Sequence, residues 1–316
     1  MPTDPSPILT TKSPSGITTI TLNRPSRRNA IDPPTAKLLY EAIINFEDDP
    51  SQRILILHGA NGTFSAGFDL HSLASSTSTS SALAGGEVFQ EDVDRQLGPM
   101  GPSRLTIQKP VIAAVSGYAV AGGMELSLLG DIRIVEEDAI FGIFCRRFGV
   151  PLIDGGTVRL QAIVGLGRAL DLILTGRPVD ANEALAMGLA NRVVGKGKAL
   201  EEAEKIAEQL LGFPQECMNV DRRSTYNAAY DAKSFRGALK FEFENGVKVI
   251  SEESVSGAKR FSSGVGRHGQ FGEETETPKV KVKECYAATE GLFYLPTYSP
   301  PPSKFTSVSS SNTKRG

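Results

Sequence analysis

Cysteine and histidine are scarce, at three residues each among 316. Cys145, Cys217 and Cys285 stand at wide, irregular spacing, which is neither a disulfide framework nor a zinc pattern and fits a reducing compartment. His58, His71 and His268 include no pair at metal-ligand spacing, so structural roles and no metal site are expected. No apolar run approaches the roughly 18 residues of a membrane span. A formal net charge of −2 gives no electrostatic reason to expect nucleic acid or an anionic membrane as partner. The N-terminal MPTDPSPILTTK lacks a secretory apolar core and a transit peptide's Arg-rich amphipathicity, and the final Lys-Arg-Gly is not the Ser-Lys-Leu address. A cytoplasmic location is therefore expected. The glycines form no dinucleotide fingerprint with a downstream acidic residue, which excludes a nicotinamide cofactor. No internal sequence repeat is visible.

What remains is an ordinary globular composition, 40% hydrophobic and 22% charged. Ile17–Leu22 alternates apolar residues with Thr as a strand does and ends before Pro25. Asp32 and Pro33 open a helix in which Leu38, Leu39, Ala42, Ile43 and Phe46 recur at helical spacing. Ile54–Leu57 reads as a buried strand, followed by a glycine-punctuated turn to Leu70. Residues 75–86, rich in Ser, Thr, Ala and Gly, read as a mobile loop, and Glu87–Leu97 as a polar helix before a Gly/Pro break at 98–102. Further strands are expected at 131–135, 139–144 and 193–194. Helices are expected at 158–175, interrupted by Gly165 and Gly167, and at 178–187. Alternating signals from 17 to 194 predict a predominantly parallel α/β sheet with right-handed crossovers. Amphipathic helices at 199–211, 222–229 and 235–255 follow. The division expected is an N-terminal tail (1–12), an α/β core (13–197), a helical region (198–272) and a disordered tail (273–316).

The most informative stretch is KPVIAAVSGYAVAGGMELSL, from Lys109. Val111–Val115 has the length and composition of a buried strand, Ala121-Gly122-Gly123 is a glycine turn, and Leu126, Leu128 and Leu129 continue as a helix. Such a junction presents unpaired N–H groups to an anion or a developing oxyanion, with Glu125 beside them.

With NRPSRRNAI, FSAGFDL, DIRI with AIFG, FGVPLIDGGTVRL and LTGRPVDANEALAMGLANRVV, in this order over roughly 17–270, the chain resembles the crotonase (enoyl-CoA hydratase/isomerase) superfamily. The resemblance implies a spiral of ββα units, a helical C-terminal region that trimerises, and a homotrimer or a hexamer made as a dimer of trimers. It implies an acyl-CoA thioester as substrate, with coenzyme A part of that substrate and no separate cofactor. It makes the backbone N–H groups of Phe68 and Gly122 the oxyanion donors, with Ala30, Ala66, Gly67, Asp69 and Gly123 around the bound thioester. The superfamily also supports hydrolysis, decarboxylation and dehalogenation, and a non-catalytic binding member stays open.

Hydratases of this family use two glutamates, and Glu125 matches the one acting on water. A Glu in a first helical turn is also a common dipole-favouring residue. The second glutamate's position falls on Cys145, whose thiol does not replace a carboxylate and whose plain reading is a small apolar filler. Asp154 is the candidate replacement, with capping of a helix opening at Thr157 as its alternative. Arg27 and Arg28 suit coenzyme A phosphates or a solvated loop. Asp69 is expected to brace its turn. Arg146 and Arg147 suit either a basic mouth or surface ion pairs, and residues 75–86 and 104–108 are expected to shape the acyl pocket.

Overall fold

The computed structural model describes residues 6–266 except 79–80, 82, 87–88 and 91–94. The expected disordered tail and His268 lie outside the described residues, as does most of the expected helix 87–97. Its described residues, 89–90 and 95–97, are not helical. Among the described residues no helix is long and apolar enough to cross a membrane.

The larger sheet has six strands in the order β1 (Ile8–Lys12), β2 (Ile17–Leu22), β3 (Ile54–Gly59), β4 (Val111–Val115), β6 (Ile132–Glu136), β9 (Arg192–Val194). The smaller contains β5 (Tyr118–Val120), β7 (Ile140–Gly142) and β8 (Pro178–Asp180). Two expectations need correction. Ile8–Lys12, assigned to the tail, pairs antiparallel with β2 as an edge strand with only Ile8 buried, so it lacks the two-sided apolar pattern of an inner strand. Pro178–Asp180, read as a helix start, is a strand antiparallel to β7, and Asp180 caps α6 (Ala181–Ala186) by accepting from Glu183 N–H.

Side-chain alternation separates two cores. Leu55, Leu57, Val111, Ala113, Val115 and Val135 join one core with Leu39, Ile43 and Phe46 of α1 (Pro33–Asp48). Ile54, Ile56, Ile112, Ala114 and Ile134 face α7 (Ala199–Leu211), which buries Ala203, Ile206 and Ala207.

A structural repeat runs through the centre without a visible sequence repeat. Strand β4 leads to β5 and then α3 (Gly122–Ser127), while β6 leads to β7 and then a 3₁₀ turn (Phe144–Phe148). β4 runs parallel to β6, and β5 to β7, so successive units stack in register. Strand β3 begins a matching unit in which Ser65 bridges Ala119 in parallel before α2 (Leu70–Ala74). The expected helix 158–175 begins at Gly156 and divides at Gly165, whose φ of 83° ends α4 (Gly156–Val164) and opens α5 (Leu166–Thr175).

The helical region comprises α7, α8 (Gln215–Tyr226), α9 (Phe235–Val249) and α10 (Val255–Ser263), with a π-turn at Asn227–Asp231. Asp131 fastens α8 to the sheet. It accepts from Val111 N–H (2.7 Å), Arg222 Nε (2.9 Å) and Tyr226 Oη (2.7 Å). Replacing Asp131 by Ala removes the acceptor of a strand N–H, of a guanidinium Nε and of a phenol together. Asp131→Ala is expected to lower unfolding free energy by about 3 kcal/mol, read as a lower urea midpoint; an unchanged midpoint would show the latch carries no weight.

Candidate active site

The register of the repeat builds the site. Ser65, Ala119 and Phe141 form one parallel row across the three units. Phe68, Gly122 and Phe144 each lie three residues beyond their row member. The turns that carry the candidate donors and Cys145 are therefore spatial neighbours, although they are distant in sequence.

In the first turn, Ala66 N–H donates to Arg28 O (3.0 Å), Gly67 N–H to Ser65 Oγ (3.1 Å) and Asp69 N–H to Ile31 O (2.8 Å). Phe68 N–H has no acceptor among the described residues. Asp69 braces the turn as expected, since it caps α2 through His71 N–H (3.1 Å) and pairs with Arg24 (3.3 Å). In the second turn, Ala121 adopts φ 53°, a left-handed conformation unusual for alanine, and opens α3 with Gly122 N–H likewise without a described acceptor. Glycines set the approach of these turns. A Cβ on Gly67 would lie 2.8 Å from Gly122 N, and one on Gly123 would lie 2.2 Å from Ser65 O.

Two buried carboxyls lie beside the donors. Glu125 Oε1 accepts Asp154 N–H (3.0 Å) and Gly156 N–H (2.8 Å). Burial first, and the Asp154 charge second, push its pKa up to about 8. Asp154 Oδ1 accepts Met100 N–H (2.9 Å) and a short bond from Ser103 Oγ. Burial raises its pKa, opposed mainly by the Ser103 and Met100 hydrogen bonds. The capping alternative for Asp154 is not observed, because α4 begins after Gly155 without a side-chain cap. Each carboxyl anchors through one oxygen, and Glu125 Oε2 and Asp154 Oδ2 have no hydrogen bond from the described residues.

Ala66, Phe68, Gly122, Glu125, Cys145 and Asp154 meet in a cavity of about 590 Å³, walled further out by Leu70, Leu73, Phe144, Phe148 and Ile153. Cys145 is buried there. Desolvation, then the Glu125 charge, raise its thiol pKa, so it contributes a neutral surface rather than a base. Arg27 and Arg28 are exposed, and Ala30 is a buried support whose carbonyl accepts from Arg24. The described part of 75–86 contributes Ser76, Thr77, Ser78 and Leu83 to the wall. Residues 104–108 line none of this cavity, and Leu105 and Ile107 pack into the core instead. Arg146 and Arg147 form no ion pair among the described residues. Arg146 Nε donates to Ile173 O (3.0 Å), and the Arg147 guanidinium lies over the rings of Phe144 (5.0 Å) and Phe148 (5.6 Å). His58 lies in β3 and His71 in α2, and no described group of His, Cys, Asp and Glu suits a metal ion.

Sequence reasoning missed Met100, Ser103 and Arg159. Met100 sits in the Gly/Pro break 98–102 and Ser103 just after it, and nothing local marks either as a neighbour of Asp154.

A ββα spiral carrying such a cavity is the architecture of crotonase-type enzymes, which process acyl-CoA thioesters. The family comparison makes the assignment specific: residues 12–266 match the enoyl-CoA hydratase/isomerase model, and the chain belongs to that family. It is similar to a carnitinyl-CoA dehydratase from Salmonella typhi, 39% identical over 197 residues that cover 61% of this chain and 70% of the relative. An enoyl-CoA hydratase structure from Mycobacterium tuberculosis H37Rv matches with a TM-score of 0.71 at 29% identity, covering 81% of this chain and 96% of that one. One from Bacillus anthracis gives 0.70 at 28%, covering 82% and 96%.

The Glu125 carboxyl also links stability to pH. The unfolded chain releases this proton near the ordinary 4.5, while the folded chain holds it until about 8. The folded state binds more protons across that window, so this residue's contribution to stability falls as pH rises through it. Glu125→Gln retains an acceptor for both N–H groups and cannot ionise. Its melting temperature relative to the parent is expected to climb between pH 5 and 8 and level off above; a pH-independent difference would place Glu125 ionisation in the ordinary range.

Proposed function

We propose that the enzyme catalyses reversible hydration of a 2-enoyl-CoA, with Glu125 and Asp154 as the proton-transfer pair and the N–H groups of Phe68 and Gly122 as the oxyanion hole. The observation that carries this reading is the division of labour within each carboxyl, one oxygen anchored and the other unbonded beside the cavity. In the dehydration direction, Asp154 Oδ2 takes the α-proton of a 3-hydroxyacyl-CoA. The electron pair moves to the thioester oxygen, where the two N–H groups stabilise the enolate. Collapse of the enolate forms the α,β double bond and expels the β-hydroxyl as water, protonated by Glu125. Fixed dipoles favour the charge that develops in the transition state, and each donor is worth about 3 kcal/mol. A pKa near 8 keeps Glu125 protonated at neutral pH, which suits the acid in this direction. The dehydratase name of the Salmonella relative supports the same chemistry.

Double-bond isomerisation by the same pair, moving a proton between the α- and γ-carbons, is the second reading. It draws support from a cavity that brings both unbonded carboxyl oxygens to one substrate. Arg27 and Arg28, exposed on the basic loop, are proposed to meet the coenzyme A phosphates.

Purified protein with crotonyl-CoA and 3-enoyl-CoAs in deuterated water separates hydration from isomerisation by the mass of the product. Glu125→Gln and Asp154→Asn are each expected to cut kcat by about 10²–10⁴-fold. In the dehydration direction, with a 3-hydroxyacyl-CoA as substrate, the parent's kcat should trace a bell, lost at alkaline pH as Glu125 ionises and at acid pH as Asp154 is protonated. Full turnover by both variants would overturn the assignment.

We also infer self-association through α9, whose Phe235, Leu239, Phe243 and Val247 form an exposed stripe at helical spacing. The prediction is a trimeric or hexameric mass by light scattering that Phe243→Lys reduces; a monomeric parent would refute it.

A further inference from the structure

We propose that Ser103 is a positioning residue for the reaction: its hydroxyl holds Asp154 Oδ1, fixing the carboxylate and leaving Oδ2 toward the substrate. The inference rests on the reading of Asp154 as the proton acceptor and adds the group that makes it one. Nothing in the spacing of the sequence pairs these residues, which stand on separate segments brought together only by the fold.

The surrounding geometry is built for this contact. Gly98 and Gly101 close a short antiparallel bridge, with Gly101 at φ 92°, and residues 102–104 follow as a single 3₁₀ turn. The turn directs Ser103, itself 4% exposed, inward onto Asp154. A Cβ on Gly98 would fall 2.1 Å from Ser103 Oγ, so the absence of a side chain there makes room for the hydroxyl. Arg159 then ties the two segments together. Its Nη1 donates to Asp154 O (3.1 Å) and its Nη2 to Ser103 O (3.0 Å). The same turn supports the oxyanion side, since a Cβ on Gly122 would meet the Met100 side chain at 3.0 Å while Met100 N–H donates to Asp154 Oδ1.

Both donors to Asp154 end on the same oxygen. A hydroxyl that donates to a carboxylate favours its charged form and restricts its rotation, two properties a buried base needs. A backbone N–H alone would leave the carboxyl free to pivot about its single remaining anchor. Ser103 supplies a second hydrogen bond to that oxygen.

The test compares Ser103→Ala, Ser103→Thr and Ser103→Cys with Asp154→Asn, on whichever acyl-CoA the parent turns over. Removing one charge-assisted hydrogen bond is expected to lower kcat about tenfold with KM within twofold. In the dehydration direction, the acid limb of the kcat–pH profile should move to higher pH in Ser103→Ala, because the Ser103 bond opposes protonation of Asp154. Ser103→Thr keeps the hydroxyl and should restore both readouts. Ser103→Cys keeps the volume with a weak donor and should fall between, which gives a reading even where the alanine variant folds poorly. Unchanged kcat and acid limb in Ser103→Ala and Ser103→Cys would overturn the proposal, as would a threonine variant that behaves like alanine while folding as the parent does. If Asp154→Asn is inactive and Ser103→Ala is normal, this inference alone fails. If Asp154→Asn is fully active, the reading of Asp154 fails with it.

Discussion

The parallel register that sets Ser65, Ala119 and Phe141 side by side is the constraint from which the site follows. Backbone hydrogen bonds fix that row, and each chain then leaves it by the same short path into a helix or turn. The candidate donors, Glu125 and Cys145 are neighbours because equivalent positions of stacked units must be neighbours. A slip of one residue in any of these ladders would turn alternate side chains to the wrong face and separate the turns.

Burying two carboxyls against one apolar cavity is costly, and the fold offsets the cost unequally. Glu125 receives two backbone N–H groups on one oxygen and still holds its proton to about pH 8. Asp154 receives a hydroxyl as well as an N–H, and with Arg104 and Arg159 nearby these oppose the rise in pKa that burial causes. Like charges in one low-dielectric pocket are unfavourable together, and the two carboxyls meet that cost with different sets of donors.

Much of this was legible in the sequence where the signal is local. Strand β4, the glycine turn that opens α3, the Asp32 cap and the amphipathic face of α1 follow from periodicity, glycine placement and capping chemistry, while the three-residue β5 between β4 and that turn was not read as a strand; the order of motifs carried the family resemblance. The spiral itself left no repeat in composition, because only backbone pairing has to recur from unit to unit and the side chains differ. Strand β1 was missed because an edge strand with one buried residue carries no alternation, and β8 because Pro-Val-Asp is also how a helix begins. Asp154 was legible as a charged residue in a glycine loop, but whether it caps or reacts depends on Ser103 and Met100, which local spacing does not connect to it.

The close backbone packing at Gly67 and Gly123 has a consequence for how such an enzyme diversifies. The separation of the two donor turns is set by main chain against main chain, with a would-be Cβ at 2.8 Å and 2.2 Å from its neighbour. That dimension works as a fixed gauge, insensitive to side-chain exchange elsewhere and intolerant of exchange at the two glycines. The facing wall, from Phe144 to Ile153, includes the side chains of Phe144, Phe148, Val150 and Ile153. Mutational drift can reshape that wall to suit a new acyl group while the thioester end keeps its gauge.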